Sequence, residues 1–250
     1  MITIISPRIA NLGDFANAFP ALSGLSKALN QKFHFVICDR LEQFKGIKEL
    51  LSYQDMFEEV SFVREGKFDP QNCALIDDTG HFENSGNIPL VTTSYANFIR
   101  NSYKIQFEVD ADFELKVPKL DIDYFDDKVI VGDRWSPKLT NDMDLRRDYE
   151  VIEKSGVIKD KPVHYLDYTK DLVYNCALIK YNKNAFITTI TGIGIIADLM
   201  NKETIVCWDE DMRVWDGKPV EYDFERHYYT DRKSKLVHVK DLEKENELFA

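Results

Sequence analysis

Three stretches of the sequence combine residue types that handle protons or phosphate. The first, NLGDFANAFPALSGLSKAL (11–29), follows the apolar run ITIIS directly. Gly13 permits a tight turn out of a strand, and Asp14 stands at the start of a helix, where backbone N–H groups and the helix dipole favour an anion. A carboxylate there either caps the helix or faces a cleft and takes a proton from a hydroxyl. The second stretch is TTITGIGIIADLM (188–200). Thr188, Thr189 and Thr191 supply hydroxyls. Gly192, Ile193 and Gly194 open an apolar helix whose first N–H groups suit a phosphate, with glycines that let a ligand approach the backbone. The same glycines equally permit close helix–strand packing, and neither a Walker loop nor G-x-G-x-x-G is present. The third is VGDRWSPK (131–138). Arg134 and Lys138 are suited to pairing with a pyrophosphate and Ser136 to donating one more bond, or else this is a surface loop anchored by Trp135.

The elements around these stretches follow a strand–helix rhythm. Strands are expected at 2–6, 33–38, 58–63, 73–77 and 88–93, with helices at 15–30, 41–52 and 95–104. Residues 105–125, IQFEVDADFELKVPKLDIDYF, look extended and acidic and read as a linker. The rhythm then restarts, with strands at 128–132, 163–168, 185–190 and 204–208 and helices at 143–155, 170–182 and 192–201. A charged terminal helix is expected after 240. The chain therefore reads as α/β with two Rossmann-like domains, 1–118 and 119–250. Ligands in such sheets bind outside the carboxyl ends of the strands, which places the site in the cleft between the domains.

Bulk properties exclude several classes. The chain has 250 residues, 44% hydrophobic and 30% charged, which is ordinary globular composition. It lacks an apolar run of the roughly 18 residues that a membrane span needs, and MITIIS lacks the basic start of a signal peptide, so a cytoplasmic setting is expected. Cys38, Cys73, Cys176 and Cys207 are widely spaced and read as reduced thiols. The five histidines (His34, His81, His164, His227 and His238) show no ligand spacing. The D-x-D pairs at 110/112, 121/123, 142/144 and 209/211 are expected by chance in so acidic a chain, so neither a metal site nor a cofactor is expected. The net charge of −11 is spread over both halves, which disfavours non-specific nucleic-acid binding. One locally basic tract, ERHYYTDRKSKLVHVK (225–240), reads as a solvated segment or as a docking surface for a phosphate-rich partner.

Taken together, the three stretches resemble family-9 glycosyltransferases, the heptosyltransferase-like enzymes of the two-domain GT-B fold. Gly-Asp followed by a Pro-Ala-Leu helix is similar to that family's opening signature. Residues 168–208, with Thr-Gly before an Ala-containing helix, are similar to its late segment, and 129–138 falls where the family places a donor-phosphate loop. The resemblance implies two Rossmann-like domains facing across a cleft, the first on the acceptor side and the second binding a nucleotide-diphosphate sugar as donor substrate. Asp14 matches the general base. Thr191 and Gly192 match the Thr-Gly that meets the diphosphate, with Gly13, Thr189, Ile193 and Gly194 beside them, and Arg134, Ser136 and Lys138 match the middle loop loosely. The implied reaction is a metal-independent direct displacement at the anomeric carbon. Where the family usually has Asp before Thr-Gly and His shortly after, this chain has Ile190 and Ile195.

The resemblance makes a cell-surface glycan or lipopolysaccharide-type saccharide the expected acceptor. An alternative is a phage enzyme glycosylating a hydroxymethylated base in DNA, which would call for a basic cleft rim. A second alternative, motivated by Ile190 and Ile195, is a non-catalytic nucleotide-sugar-binding module. A two-domain sugar-nucleotide epimerase is a third, though its catalytic His and Glu positions find no match. The oligomeric state is open.

Overall fold

The computed structural model describes residues 2–6, 11–65, 73–76, 86–133, 149–209 and 218–240, without the side chains of 39 and 40. Arg134, Ser136, Lys138, the start of the helix expected at 143–155 and the expected terminal helix lie outside the described residues.

The first sheet is built from β1 (Ile2–Ile5), β2 (Phe33–Ile37), β3 (Phe57–Phe62) and β4 (Cys73–Leu75), all parallel, in the order β3-β2-β1-β4. Its helices are α1 (Leu12–Ala16), α2 (Phe19–Leu29), α3 (Ile47–Ser52) and α4 (Leu90–Tyr103). The second sheet contains β5 (Val129–Val131), β6 (Val163–Tyr165), β7 (Phe186–Thr188), β8 (Thr204–Trp208) and β9 (Ser234–His238), again all parallel, in the order β6-β5-β7-β8-β9. Its helices are α5 (149–154), α6 (Leu172–Tyr181), α7 (Gly192–Leu199) and α8 (Val220–His227).

Strand order locates the crevices. In the first sheet the order reverses beside β1, where β4 joins, and in the second it reverses between β5 and β7. Both are topological switch points, and open α/β sheets hold ligands at the carboxyl ends of the strands there. Helix α1 follows β1, and α7 follows β7. Asp133, two residues after β5, lies at the second switch point.

Packing follows the period-2 pattern of the strands. Ile130 belongs to a large cluster that runs from Ile4 and Phe35 through Phe15, Ile193 and Ile196 to Phe186 and Val206. Its neighbours Val129 and Val131 face a separate cluster with Val151, Ile152, Ile187, Ile205 and Cys207. The large cluster is aromatic at its centre: Phe35 stacks on Phe57 at 4.6 Å, and Phe15 meets Phe19 edge-on at 5.0 Å.

The structure corrects three expectations. The helix expected over 15–30 is interrupted at Asn17–Ala18 and restarts at Phe19 with Pro20 in its first positions. Proline donates no N–H and its ring clashes with the preceding turn, so it starts a helix more readily than it continues one. Residues 88–93, expected as a strand, instead lead into α4, with Pro89 as N-cap. The β-branched run mimics a strand, but Val91, Thr92, Tyr95, Ala96 and Ile99 form one buried helical stripe, and packing overrides propensity. The basic tract 225–240 contains the end of α8 and all of β9. Within it Tyr228, Tyr229 and Arg226 are buried, and the Arg232 guanidinium donates to the carbonyls of Asp198, Ala111 and Phe113 while lying 3.8 Å over the Tyr229 ring.

Residues 104–128 contain neither helix nor strand. They are nonetheless docked: Phe113, Leu115 and Val117 bury one face of the extended chain at every second residue. Leu115 N–H donates to Leu199 O, Gln54 bonds both backbone groups of Lys116, and Tyr181 donates to Val117 O. The backbone of Glu108 lies against Gly24, where a Cβ would collide with its carbonyl.

Candidate functional site

The first turns of α1 and α7 meet where the carboxyl ends of the two sheets converge. Gly13 and Gly192 form the crossing. A Cβ on Gly192 would stand 2.9 Å from Gly13 N and 3.1 Å from Leu12 Cβ, and one on Gly13 would run into the Ile195 side chain. Gly13 lies inside α1 and has no positive φ. It therefore serves close backbone approach, where the sequence suggested a tight turn. Gly192 is in the same position, and the neighbour that approaches its backbone is α1.

Asp14 stands in the first turn of α1, whose N-cap is Asn11. Its side chain is 26% exposed, within the field of the N-terminal dipole. The N-cap position belongs to Asn11, whose side chain makes no cap hydrogen bond.

At α7 the polar groups turn inward. Thr191 is the N-cap, and its Oγ1 accepts from Gly194 N at 3.2 Å and shares a 3.0 Å hydrogen bond with Thr188 Oγ1. Thr189 is fully buried, and its Oγ1 has no hydrogen-bond partner among the described residues. Ile193 and Gly194 are buried while Gly192 is half-buried. Gly194 is required by Tyr228, whose hydroxyl occupies the space that a Cβ would take. Burial pushes the Tyr228 phenol well above its ordinary range. Ile195 is a core residue, packed under Gly13.

A polar cluster that the sequence did not reveal backs Asp14. His227, the last residue of α8, places Nδ1 3.7 Å from Asp14 Oδ1 and 3.4 Å from Asn17 Nδ2, and Nε2 3.9 Å from Asp223 Oδ1. The Thr92 hydroxyl on α4 donates to the Asn17 carbonyl at 2.9 Å and lies 3.5 Å from Asn17 Oδ1. Burial, then the neighbouring Arg226 cation, depresses the His227 pKa to about 3, so the imidazole is neutral. Burial raises the Asp223 carboxyl, opposed by Arg226. His227 and Asp14 are 213 positions apart, and the only local signal was an acid four residues before a histidine on one helix face. Among the described residues, there is no group of three or more His, Cys, Asp or Glu side chains placed to hold a metal, and no helix is long and apolar enough to cross a membrane.

This architecture, two parallel α/β sheets with their switch points turned toward one junction, is the GT-B fold. Among solved structures, the chain is similar to E. coli heptosyltransferase WaaC with ADP (12% identity, TM-score 0.57, all of both chains covered). It is also similar to the glycosyl transferase family 9 protein from Veillonella parvula DSM 2008 (11% identity, TM-score 0.59, 98% of this chain and 91% of that one). A third likeness is to E. coli ADP-heptose lps heptosyltransferase II (10% identity, TM-score 0.55, 97% and 94% covered). At these identities the likeness is one of fold. No protein-family model matches the chain. No curated protein matches it.

Proposed function

We propose that the chain is a glycosyltransferase that moves a sugar from a nucleotide-diphosphate sugar to the hydroxyl of a saccharide acceptor of the cell-surface glycan or lipopolysaccharide type. The observation that carries this reading is the position of Asp14. A partly exposed carboxylate stands on the first turn of α1, with the N-terminus of α7 across the crossing, in a fold shared with two heptosyltransferases and a family 9 glycosyl transferase.

In this mechanism the acceptor oxygen attacks the anomeric carbon, Asp14 takes its proton, and the bond from that carbon to the diphosphate breaks. The start of α7, with Thr191 and Gly192, and the segment carrying Arg134, Ser136 and Lys138 stabilise the charge on the departing diphosphate. Fixed cations and helix N–H groups supply that stabilisation, so the reading expects turnover to survive chelation of divalent metals. A saccharide acceptor is favoured over DNA because two arginines of the basic tract 225–240 are committed elsewhere: Arg226 is buried, and Arg232 is bonded to backbone carbonyls.

The test is a panel of nucleotide sugars offered to the wild type and to Asp14→Ala, with binding and donor turnover measured separately. Binding by both proteins with turnover by the wild type alone supports the mechanism; no binding by either ends it. Saccharides and hydroxymethylated DNA offered as acceptors then separate the two transferase readings.

A further inference from the structure

The polar cluster behind Asp14 has a defined hydrogen-bond direction. The Asn17 amide turns its nitrogen toward His227 Nδ1 at 3.4 Å, while the one proton of the Thr92 hydroxyl goes to the Asn17 backbone carbonyl at 2.9 Å. Because that nitrogen is a donor, Nδ1 is the bare, accepting nitrogen of the ring, and the ring proton sits on Nε2, toward Asp223. Two acceptors, Nδ1 and Asp14 Oδ1, then face each other at 3.7 Å, beyond hydrogen-bond reach, as two lone pairs require. Adding a proton to Asp14 turns that contact into an O–H donor facing a ready acceptor.

We propose that His227 is a positioning residue for Asp14, its ring packed behind the carboxyl and its Nδ1 receiving the hydrogen bond once Asp14 carries the acceptor's proton. This rests on the reading of Asp14 as the base. The proton stays on the carboxyl oxygen, and the imidazole is neutral throughout. That neutrality matters, because an imidazolium here would pair with Asp14 and occupy the lone pair that the reaction uses. Among the described residues, the charged groups facing the ring are Asp14 from α1 and Asp223 and Arg226 from α8, while α4 contributes the Thr92 hydroxyl through Asn17.

Two measurements test the assignment. The first is 15N NMR of histidine-labelled protein at neutral pH, which reads the tautomer directly. The expected signature is protonated Nε2 and bare Nδ1, with the Nδ1 resonance moving in Asp14→Asn, whose amide donates to it. A protonated Nδ1, or an Nδ1 indifferent to Asp14→Asn, overturns the proposal. The second is steady-state kinetics of His227→Leu, which has no acceptor, and His227→Asn, whose amide oxygen can take the place of Nδ1. A misplaced catalytic group costs up to about 100-fold, so His227→Leu is expected to lower kcat about tenfold with KM for the nucleotide sugar unchanged, and His227→Asn to recover most of it. Equal loss in both variants, or a change in KM alone, makes the residue merely structural. Failure of the wild type to bind any nucleotide sugar ends the functional reading, while the NMR result still decides whether the contact exists.

Discussion

Helices α1 and α7 start at equivalent places, each following a strand that borders a switch point of its sheet, yet their first turns present opposite chemistry. At α1 the cap residue Asn11 is exposed and makes no side-chain cap bond, and an acid in the first turn reaches solvent. At α7 the cap residue Thr191 is 5% exposed and bonds back to its own helix, with the Thr188 hydroxyl beside it. The sequence assigns the two turns different tasks, a proton acceptor at Asp14 and a phosphate site at α7. In the proposed reaction a hydroxyl would meet a partly exposed carboxylate at Asp14, and a diphosphate would share the end of α7 with the Thr191 cap and the backbone of Gly13.

Substitution of Asp14 bears most directly on this contrast. A general base contributes about 10²- to 10⁴-fold, so Asp14→Asn is expected to lower kcat about 1,000-fold with nucleotide-sugar affinity unchanged, read by initial rates and calorimetry. Affinity lost together with rate would move Asp14 from the proton to the donor. Next in size is the crossing itself. Gly192→Ala places a methyl against Gly13 N and Leu12, and overpacking of this kind costs about 1–3 kcal/mol, measurable by urea unfolding. An unchanged midpoint would mean that the two helices part easily.

Two of the buried titratable groups contribute to the pH dependence with opposite signs. His227 is depressed in the fold, to about 3 from 6.5. Below 6.5 the unfolded chain therefore binds the extra proton, and stability falls as pH drops toward 3. Asp198 is raised above 3.8, by burial first, against the pull of Ser234, the Tyr229 N–H and Arg232. Here the folded chain holds the extra proton, and stability falls as pH rises from 3.8 through the folded value. Each contributes at most about 1.4 kcal/mol per pH unit. His227→Asn is expected to flatten the acid side of the profile and Asp198→Asn to remove the decline above pH 3.8, both followed by denaturant titration at several pH values. The smallest effect concerns the cap. Thr191→Ala is expected to cost about 1 kcal/mol and Thr191→Ser little. If Thr191→Ser nevertheless lowers nucleotide-sugar affinity, the residue touches ligand as well as its own helix.

How much was legible varied with how local the cause was. The short buried strands β1, β2, β5 and β8 stood out because apolar runs bounded by turn residues are a local signal. Residues 88–93 misled because Val91 to Thr93 carry strand propensity while the buried face has helical spacing, and only the packing partner decides between them. The break before Phe19 was visible in Pro20 but was outweighed by the apolar stripe on both sides. Asp14, Gly13 and Gly192 could be picked out by type and neighbourhood. Their relation to one another could not, because a glycine needed for a tight turn and one needed for a helix crossing are the same letter. His227, Asn17 and Thr92 form a cluster from three distant segments, and nothing in their local sequence announces it.

By itself the sequence determined the two runs of alternating strands and helices, the acid after the first strand and the Thr-Gly before α7, since each follows from the order of residues within a few turns of chain. Only the tertiary structure decided that Gly13 and Gly192 press together, that the basic tract 225–240 is partly core, and that a histidine near one end of the chain stands behind an aspartate near the other. Those are contacts across long sequence separations, and their free energy comes from burial and close approach that exist only once the chain has folded.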